Sequence, residues 1–566
     1  MKKTIPIGYE DLRELVDRDL YYIDKTLTLK SFMDSHSKVT LFTRPRRFGK
    51  TLNQSMFRRF FEDERNSDGS KIDNGYVFDG LAIAKCGEKY LQHQQQYPVI
   101  NLSLKSGKQP NFEMAYGLLK REIIREFERH SYVLSCDRLT MQERDAFQAI
   151  CAGEKNETLY AEGLKTLSAC LEKYHEKKCI ILIDEYDVPL ENAWFAGFYD
   201  EMVGFIRSVF ESALKTNEAL EFAVITGCLR ISRESIFTGL NNLQINSVSG
   251  AGYGETFGFT EKEVYDMLIY YNLENHFGDI KQWYDGYRFD DKEIYNPWSI
   301  INYVHDLELQ PETFPKPYWS NTSSNSIIRE LVEEADMETR GEIELLIAGE
   351  ILEKPIHEDI TYGDIHQSGD NLWNFLYFTG YLKSCGMRYD GETTFVKMAI
   401  PNTEVRTIYK NTVLTWFEQK IRAKDLTPLM KAIEDGDCTE IEDILNSQLQ
   451  DTISFFDYKE SYYHGFLTGV LKTASKTYSV LSNRESGNGR PDLILKTPRI
   501  RRGRAVIIEI KVAGAFSEME SCCRKALSQI EERKYAAALQ QEGYQDIERY
   551  GICFYGKECL VMKAER

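Results

Sequence analysis

Two short stretches of this chain hold residue types, at spacings, that could handle phosphate. The first is Thr43-Arg-Pro-Arg-Arg-Phe-Gly-Lys-Thr51. Gly49 lets a backbone approach a phosphate, Lys50 can reach β- and γ-phosphates, and the Thr51 hydroxyl can ligate Mg2+. Arg46 and Arg47 add positive charge to the same loop. The usual nucleotide loop has a glycine six residues before the lysine, where this chain has Arg44. Downstream, Ile180-Ile-Leu-Ile-Asp-Glu-Tyr-Asp187 is an apolar run closing on an acidic pair, the pattern of a Walker B strand. There Asp184 would hold Mg2+ through water and Glu185 would polarise an attacking water. Thr226 follows at the end of another apolar run, where a sensor residue would meet a γ-phosphate. A lone Gly-Lys-Thr is a weak signal, but the three segments in this order point to ATP.

The second stretch lies near the C-terminus. Arg490-Pro-Asp-Leu493 is followed by Ile508-Glu-Ile-Lys511, with Asp492 and Glu509 seventeen residues apart across a basic turn. If the two runs form a hairpin, the two carboxylates approach each other. Glu509 and Lys511 stand at i and i+2 and so share one face of a strand. Two carboxylates and a lysine on one face are the parts for phosphodiester cleavage assisted by Mg2+, with Mn2+ as a substitute. Asp492 and Glu509 would hold the metal, and Lys511 would position water or neutralise charge on the phosphate. Gln529, on the helix that follows, would orient the site, and Tyr535 lies beyond it. The loop Arg484-Glu-Ser-Gly-Asn-Gly-Arg490 offers backbone N–H groups and arginines to a DNA backbone. His464, on the helix before the motif, reads first as an ordinary satisfied histidine.

Strands and helices must place these groups. Val39–Phe42 reads as a strand before the loop, and Thr51–Phe61 as a helix after it. Pro98–Leu104, Cys179–Ile183 and Glu221–Thr226 read as further strands, with helices at Met114–His130 and Thr158–His175. Strands alternating with helices predict a mostly parallel sheet covered on both faces. The strand lying in sequence between the loop helix and the acidic pair fits the extra-strand class of P-loop ATPases. From about Thr260 to Gln450 the pattern is chiefly helical, with aromatic stretches at Trp283–Phe289, Tyr295–Ser299 and Tyr318–Ser324. From Asp451 onward the chain reads as a small α/β unit: a helix Ser461–Thr473, strands at Tyr478–Ser482, Asp492–Leu495 and Ala505–Val512, a helix Met519–Leu539, and a strand Arg549–Phe554. The expected domains are 1–255, 256–450 and 451–566.

Composition narrows the class. Among 566 residues, 42% are hydrophobic and 28% charged, a globular mix rather than a disordered or collagen-like one. No apolar run approaches the ~20 residues that span a bilayer, and the N-terminus lacks the apolar core of a signal peptide. The twelve cysteines are scattered without a CxxC pair, as reduced thiols of a cytoplasmic protein would be. Net charge is −18, yet residues 2–58 and residues 484–534 each hold 12 Lys+Arg against 7 Asp+Glu. Each basic island contains one of the two phosphate-handling stretches.

Taken together, TLFTRPRRFGKTLN, CIILIDEYDVPL, TGCLRISRESIFTGLNN, WYDGYRF, YNPWSI and NRESGNGRPDLIL…IIEIKVA resemble a bacterial family. That family joins an AAA-ATPase-like domain to a C-terminal PD-(D/E)XK nuclease superfamily domain. The resemblance implies an α/β fold throughout: an extra-strand P-loop domain, a helical middle region and a restriction-endonuclease-like domain. It implies Lys50 and Thr51 as the Walker A pair, Asp184 and Glu185 as the Walker B pair, and Asp492, Glu509 and Lys511 as the nuclease triad, with Gln529 and Tyr535 as accessories. The expected activity is an ATP-regulated, Mg2+-dependent DNA endonuclease; the alternative is a nucleotide-dependent switch or adaptor whose nuclease-like domain only binds nucleic acid or a partner protein. AAA-type ATPases often form rings that share an arginine, so the resemblance leaves a homo-oligomer open, with Arg230 and Arg233 after the Thr226 strand.

Overall fold

A computed structural model describes residues 2–229, 236–237, 240–250, 252–321, 337–357, 369–422, 426–452, 460–475, 477–482, 491–498 and 503–565. Arg230, Arg233, the loop 484–490 and the tip of the basic turn at 499–502 lie outside these residues. The chain divides into two compact units. One comprises Met1–Thr322 and Ile351–Thr407, the other Ser323–Glu350 and Ile408–Arg566. Residues 256–450 are thus shared between the two. No described helix is long and apolar enough to cross a membrane.

The first unit is built on a five-stranded sheet of β1 (Val39–Thr43), β2 (Val99–Ser103), β3 (Cys179–Asp184), β4 (Leu220–Gly227) and β5 (Leu243–Asn246). The spatial order is β2-β3-β4-β1-β5, and every pairing is parallel. β1 and β3 are buried at every position. This is why Ile180-Ile-Leu-Ile reads as an unbroken apolar run: a parallel strand covered on both faces has no polar side. The strand that separates β1 from β3 in space is β4, the Thr226 strand. β2, which lies between them in sequence, sits at the sheet edge.

The helix expected at 158–175 is two, Glu157–Ala161 and Gly163–His175. A Cβ at Gly163 would stand 3.3 Å from Ile123, so the second helix begins where the backbone must pass close to its neighbour. After β5 the same unit carries β6 (Phe259–Thr260), β7 (Tyr287–Phe289) and β8 (Lys292–Tyr295) as one antiparallel sheet. A second small sheet holds β9 (Leu352–Ile356), β10 (Lys383–Tyr389) and β11 (Thr394–Ala399). The sequence pattern reads as chiefly helical here and singles out none of these strands. These strands are short, and their apolar residues do not alternate cleanly.

The second unit is a mixed sheet in the order β12-β13-β14-β15-β16: Ser479–Ser482, Leu493–Lys496, Arg504–Val512, Asp546–Tyr555 and Glu558–Lys563. β14 and β15 run parallel, and the other pairs antiparallel. Val506, Ile508 and Ile510 of β14 share a core with Leu429, Ile433, Ile441, Leu445 and Leu467. Ala505, Ile507 and Glu509 alternate onto the opposite face, which the helix Met519–Glu532 covers through Met519, Cys523, Ala526 and Ile530. The helix expected to run to Leu539 stops at Glu532. Lys534 takes a left-handed φ of 53°, and a new helix starts at Tyr535.

Candidate functional site

In the first unit, the loop after β1 turns into the helix Lys50–Phe61 through Gly49, whose φ of 83° suits glycine. Lys50 is buried, and its ammonium donates to the carbonyls of Arg44 and Pro45 at 2.9 and 3.0 Å. The Thr51 hydroxyl donates to Asp184 Oδ2 at 2.8 Å, joining the two segments that lay 133 residues apart. Thr226 donates to the other Asp184 oxygen. Burial pushes the Asp184 carboxyl up, and the Thr226 hydroxyl opposes that shift. Glu185 is half-buried at the strand end and takes a left-handed φ of 51°. A non-glycine residue held there stores strain of about 1–3 kcal/mol, a cost seen most often at functional sites.

The arginines of the loop are each engaged by protein. Arg44 is fully buried, donates to the carbonyls of Thr43 and Asn246 at 2.8 Å each, and lies between the rings of Phe257 and Phe289. Burial holds its guanidinium down to about 9. The residue that replaces the first glycine is therefore a pillar under the loop. Arg46 pairs with Glu191, and Arg47 stacks over Trp298 at 4.2 Å.

Two members of this site escaped the sequence reading. Gln54, one turn along the loop helix, sets its amide nitrogen 3.2 Å from Asp184 Oδ1 and its oxygen 3.1 Å from the Ile183 N–H. Asp187, buried, accepts from the N–H groups of Cys228 and Leu229 at 2.7 and 3.0 Å, pinning the turn after β4. Burial raises its carboxyl to about 6. The spacing of Gln54 from Thr51 on one helix face was the only available signal for the first.

In the second unit the expected hairpin is present: β13 pairs with β14, Leu493 opposite Ile508. Asp492 therefore arrives beside Glu509, and its Oδ2 accepts from the Ile510 N–H at 2.8 Å. Glu509 is 2% exposed. Its Oε1 receives Gln529, and Lys511 stands at 3.4 Å from the same oxygen. Its Oε2 is buried with no hydrogen-bond partner among the described residues. Burial, and then the Asp492 charge, raise the Glu509 carboxyl to about 7. His464 touches the Asp492 backbone, with Nε2 2.9 Å from its carbonyl oxygen, and so holds the strand end rather than the carboxylates. Tyr535 is buried in the core with Ile494, Ile507 and Leu539.

A buried carboxylate oxygen without a partner, next to a second carboxylate, is a costly arrangement unless a cation completes it. Asp492 and Glu509 therefore fit a divalent metal. Lys50, Thr51 and Asp184 at the end of a parallel strand, beside a helix N-terminus, fit a nucleotide phosphate and its metal.

Comparison with known proteins agrees with both halves. Residues 6–237 match the family model of the predicted AAA-ATPases, and residues 458–564 match that of the PD-(D/E)XK nuclease superfamily. A curated relative, described as an uncharacterized protein in the vnfD 5′ region of Azotobacter chroococcum mcd 1, is 25% identical over 409 residues. That match covers 72% of this chain and 69% of the relative. The chain thus joins a predicted AAA-ATPase domain at residues 6–237 to a PD-(D/E)XK nuclease superfamily domain at residues 458–564.

Proposed function

We propose that this protein is an ATP-regulated, metal-dependent endonuclease acting on DNA in the cytoplasm. The observation that carries the reading is the orphaned oxygen of Glu509, buried beside Asp492 with Lys511 and Gln529 on the same side. A divalent cation between Asp492 and Glu509, Mg2+ or Mn2+, would supply the Lewis acidity that lowers the pKa of a bound water. Gln529 fixes the rotamer of Glu509, so the free oxygen faces the metal position. Lys511 brings positive charge to where a phosphodiester gains negative charge. At the other site, Lys50 is the group that would meet nucleotide phosphates, Thr51 and Asp184 would hold the accompanying Mg2+, and Glu185 would orient water for hydrolysis. Arg46 and Arg47 stay with Glu191 and Trp298 and shape the loop from behind.

The test is cleavage of plasmid and single-stranded DNA with Mg2+ or Mn2+, with and without ATP. Lys511→Ala is expected to lower cleavage at least about a hundredfold, the usual scale for an electrostatic group at the reacting centre. Lys50→Ala is expected to abolish the difference that ATP makes while leaving basal cleavage in place. Wild-type protein that binds DNA yet cuts it under no condition would move the reading to a nucleotide-dependent switch or adaptor.

A further inference from the structure

The aromatic stretches that stand out in the sequence, at residues 283–289, 295–299 and 318–324, supply no group to either phosphate chemistry. In the first unit they form the floor on which the phosphate loop rests. Phe48 packs against Tyr287 and Phe289, with ring centres 4.9 and 5.1 Å away. Arg44 lies between Phe257 and Phe289. A Cβ at Gly380 would stand 2.8 Å from Pro45 Cβ, so that turn closes tightly on the loop. Arg47 is exposed and takes a left-handed φ of 70°, and its guanidinium lies over the Trp298 ring at 4.2 Å.

Trp298 leads onward from the loop. It stands in the first turn of the helix Pro297–Leu309, where Asn296 Oδ1 accepts from the N–H groups of Trp298 and Ser299 at 2.9 and 3.4 Å. Its indole N–H donates to the Tyr318 carbonyl at 3.2 Å. The neighbouring Ser299 is buried, and its hydroxyl donates to Glu404 Oε2 at 2.8 Å. The other oxygen of Glu404 accepts from the Trp319 N–H at 2.9 Å. Glu404 is fully buried, and burial raises its carboxyl to about 7; hydrogen bonds from Trp319, Ser299 and Tyr318, rather than a cation, oppose that shift. Trp319 and Glu404 lie just before Thr322 and Thr407, the two points at which the chain leaves the first unit. One buried side chain thus ties both stretches together, and Trp298 ties them to the phosphate loop.

Coupling between sites needs an element with two arrangements that a ligand favours unequally. The loop supplies one. A lysine ammonium has three donors, and those of Lys50 go to the Arg44 and Pro45 carbonyls and to the Cys228 sulfur, 3.4 Å away. To serve a phosphate, Lys50 must give up at least one of them. The carbonyls it holds belong to the residues just before Arg46 and Arg47, so their release bears on the Arg47–Trp298 stack. We propose that Trp298 is a positioning residue that couples the nucleotide site to the two stretches ending at Thr322 and Thr407, through Arg47 on one side and the Tyr318 carbonyl and the Ser299–Glu404 bond on the other. This route rests on the reading of Lys50 and Thr51 as a nucleotide site and is the means of its regulation.

The experiment is amide hydrogen exchange of the full-length chain, with and without saturating AMP-PNP and Mg2+, read in peptides covering residues 317–321 and 402–407. In the wild type, AMP-PNP is expected to change exchange rates there by about fivefold or more, the lower end of ordinary coupling. Arg47→Ala, at an exposed position, and Trp298→Leu are each expected to abolish that change while AMP-PNP still binds, as followed by calorimetry. Glu404→Gln keeps an acceptor for Trp319 and a partner for Ser299, and is expected to respond as the wild type does; Glu404→Leu is expected not to respond. A Trp298 that only supports the fold would speed exchange equally with and without AMP-PNP and leave the nucleotide's effect intact, and that result overturns the proposal. A wild-type chain that binds AMP-PNP with no change in either stretch overturns the route and leaves the nucleotide site standing. A chain that does not bind AMP-PNP removes the site and the route together.

Discussion

At Glu509 burial and a neighbouring carboxylate act in the same direction. Its carboxyl sits at about 7 in the folded chain against an ordinary 4.5. Between those values the native state keeps a proton that the unfolded state releases. Stability of the metal-free protein therefore falls as pH rises from about 4.5 to 7, and stays lower above that. Glu509→Gln removes the penalty. In EDTA at pH 8 the variant is expected to gain up to about 3 kcal/mol over the wild type, and close to nothing at pH 4, as read from urea unfolding. A variant less stable than the wild type at pH 8 would sink the argument. Cleavage by the wild type is expected to fall as pH drops below about 7, because a protonated Glu509 holds no metal. Much at this scale was legible in advance. Gly-Lys-Thr, Asp-Glu after an apolar run, and Glu509 two residues before Lys511 are local spacings. Gln54 and Asp187 were not legible, since what they hold comes from distant strands. Arg44 showed only as a mismatch, because the rings that enclose it lie more than 200 residues away.

At the scale of elements, the helix Met519–Glu532 matters because it carries Gln529 to Glu509. It lies directly on β15. A Cβ at Gly551 would meet the Cys523 carbonyl at 2.6 Å and Ala526 Cβ at 3.1 Å. Gly551→Ala must push helix and strand apart. We expect a loss of about 1–3 kcal/mol in stability together with a fall in cleavage, although Gly551 lies outside the triad. Thermal melting beside a cleavage assay checks it, and a fully active variant would show that Gln529 needs no such support. Most strands and helices were readable from apolar runs and periodicity. Their order in the sheet was not. Nothing local in Glu221–Thr226 says that this strand inserts between β1 and β3, and nothing local predicts the short strands β6 to β11. The break at Lys534 was hidden by a helical pattern that continues on both sides of it.

For the whole molecule, the core under the nuclease sheet reaches back to Leu426, Leu429 and Ile433, well before the matched nuclease segment begins. A fragment starting at residue 458 is expected to be insoluble, for it strips Leu426, Leu429, Ile433, Ile441 and Leu445 from the core that Val506, Ile508 and Ile510 share. A chain starting at residue 408 keeps those partners and is expected to give more soluble protein, which expression and gel filtration would compare. Equal solubility of the two would show that these helices are dispensable. The chain passes from one compact unit to the other three times, at residues 322–323, 350–351 and 407–408. This bears on inheritance as well as folding. A recombination breakpoint anywhere from the first passage to the last strands part of one unit with the other. The two units are therefore passed on intact only together, and a descendant that exchanges its nuclease half by one crossover must also rebuild the segment left behind.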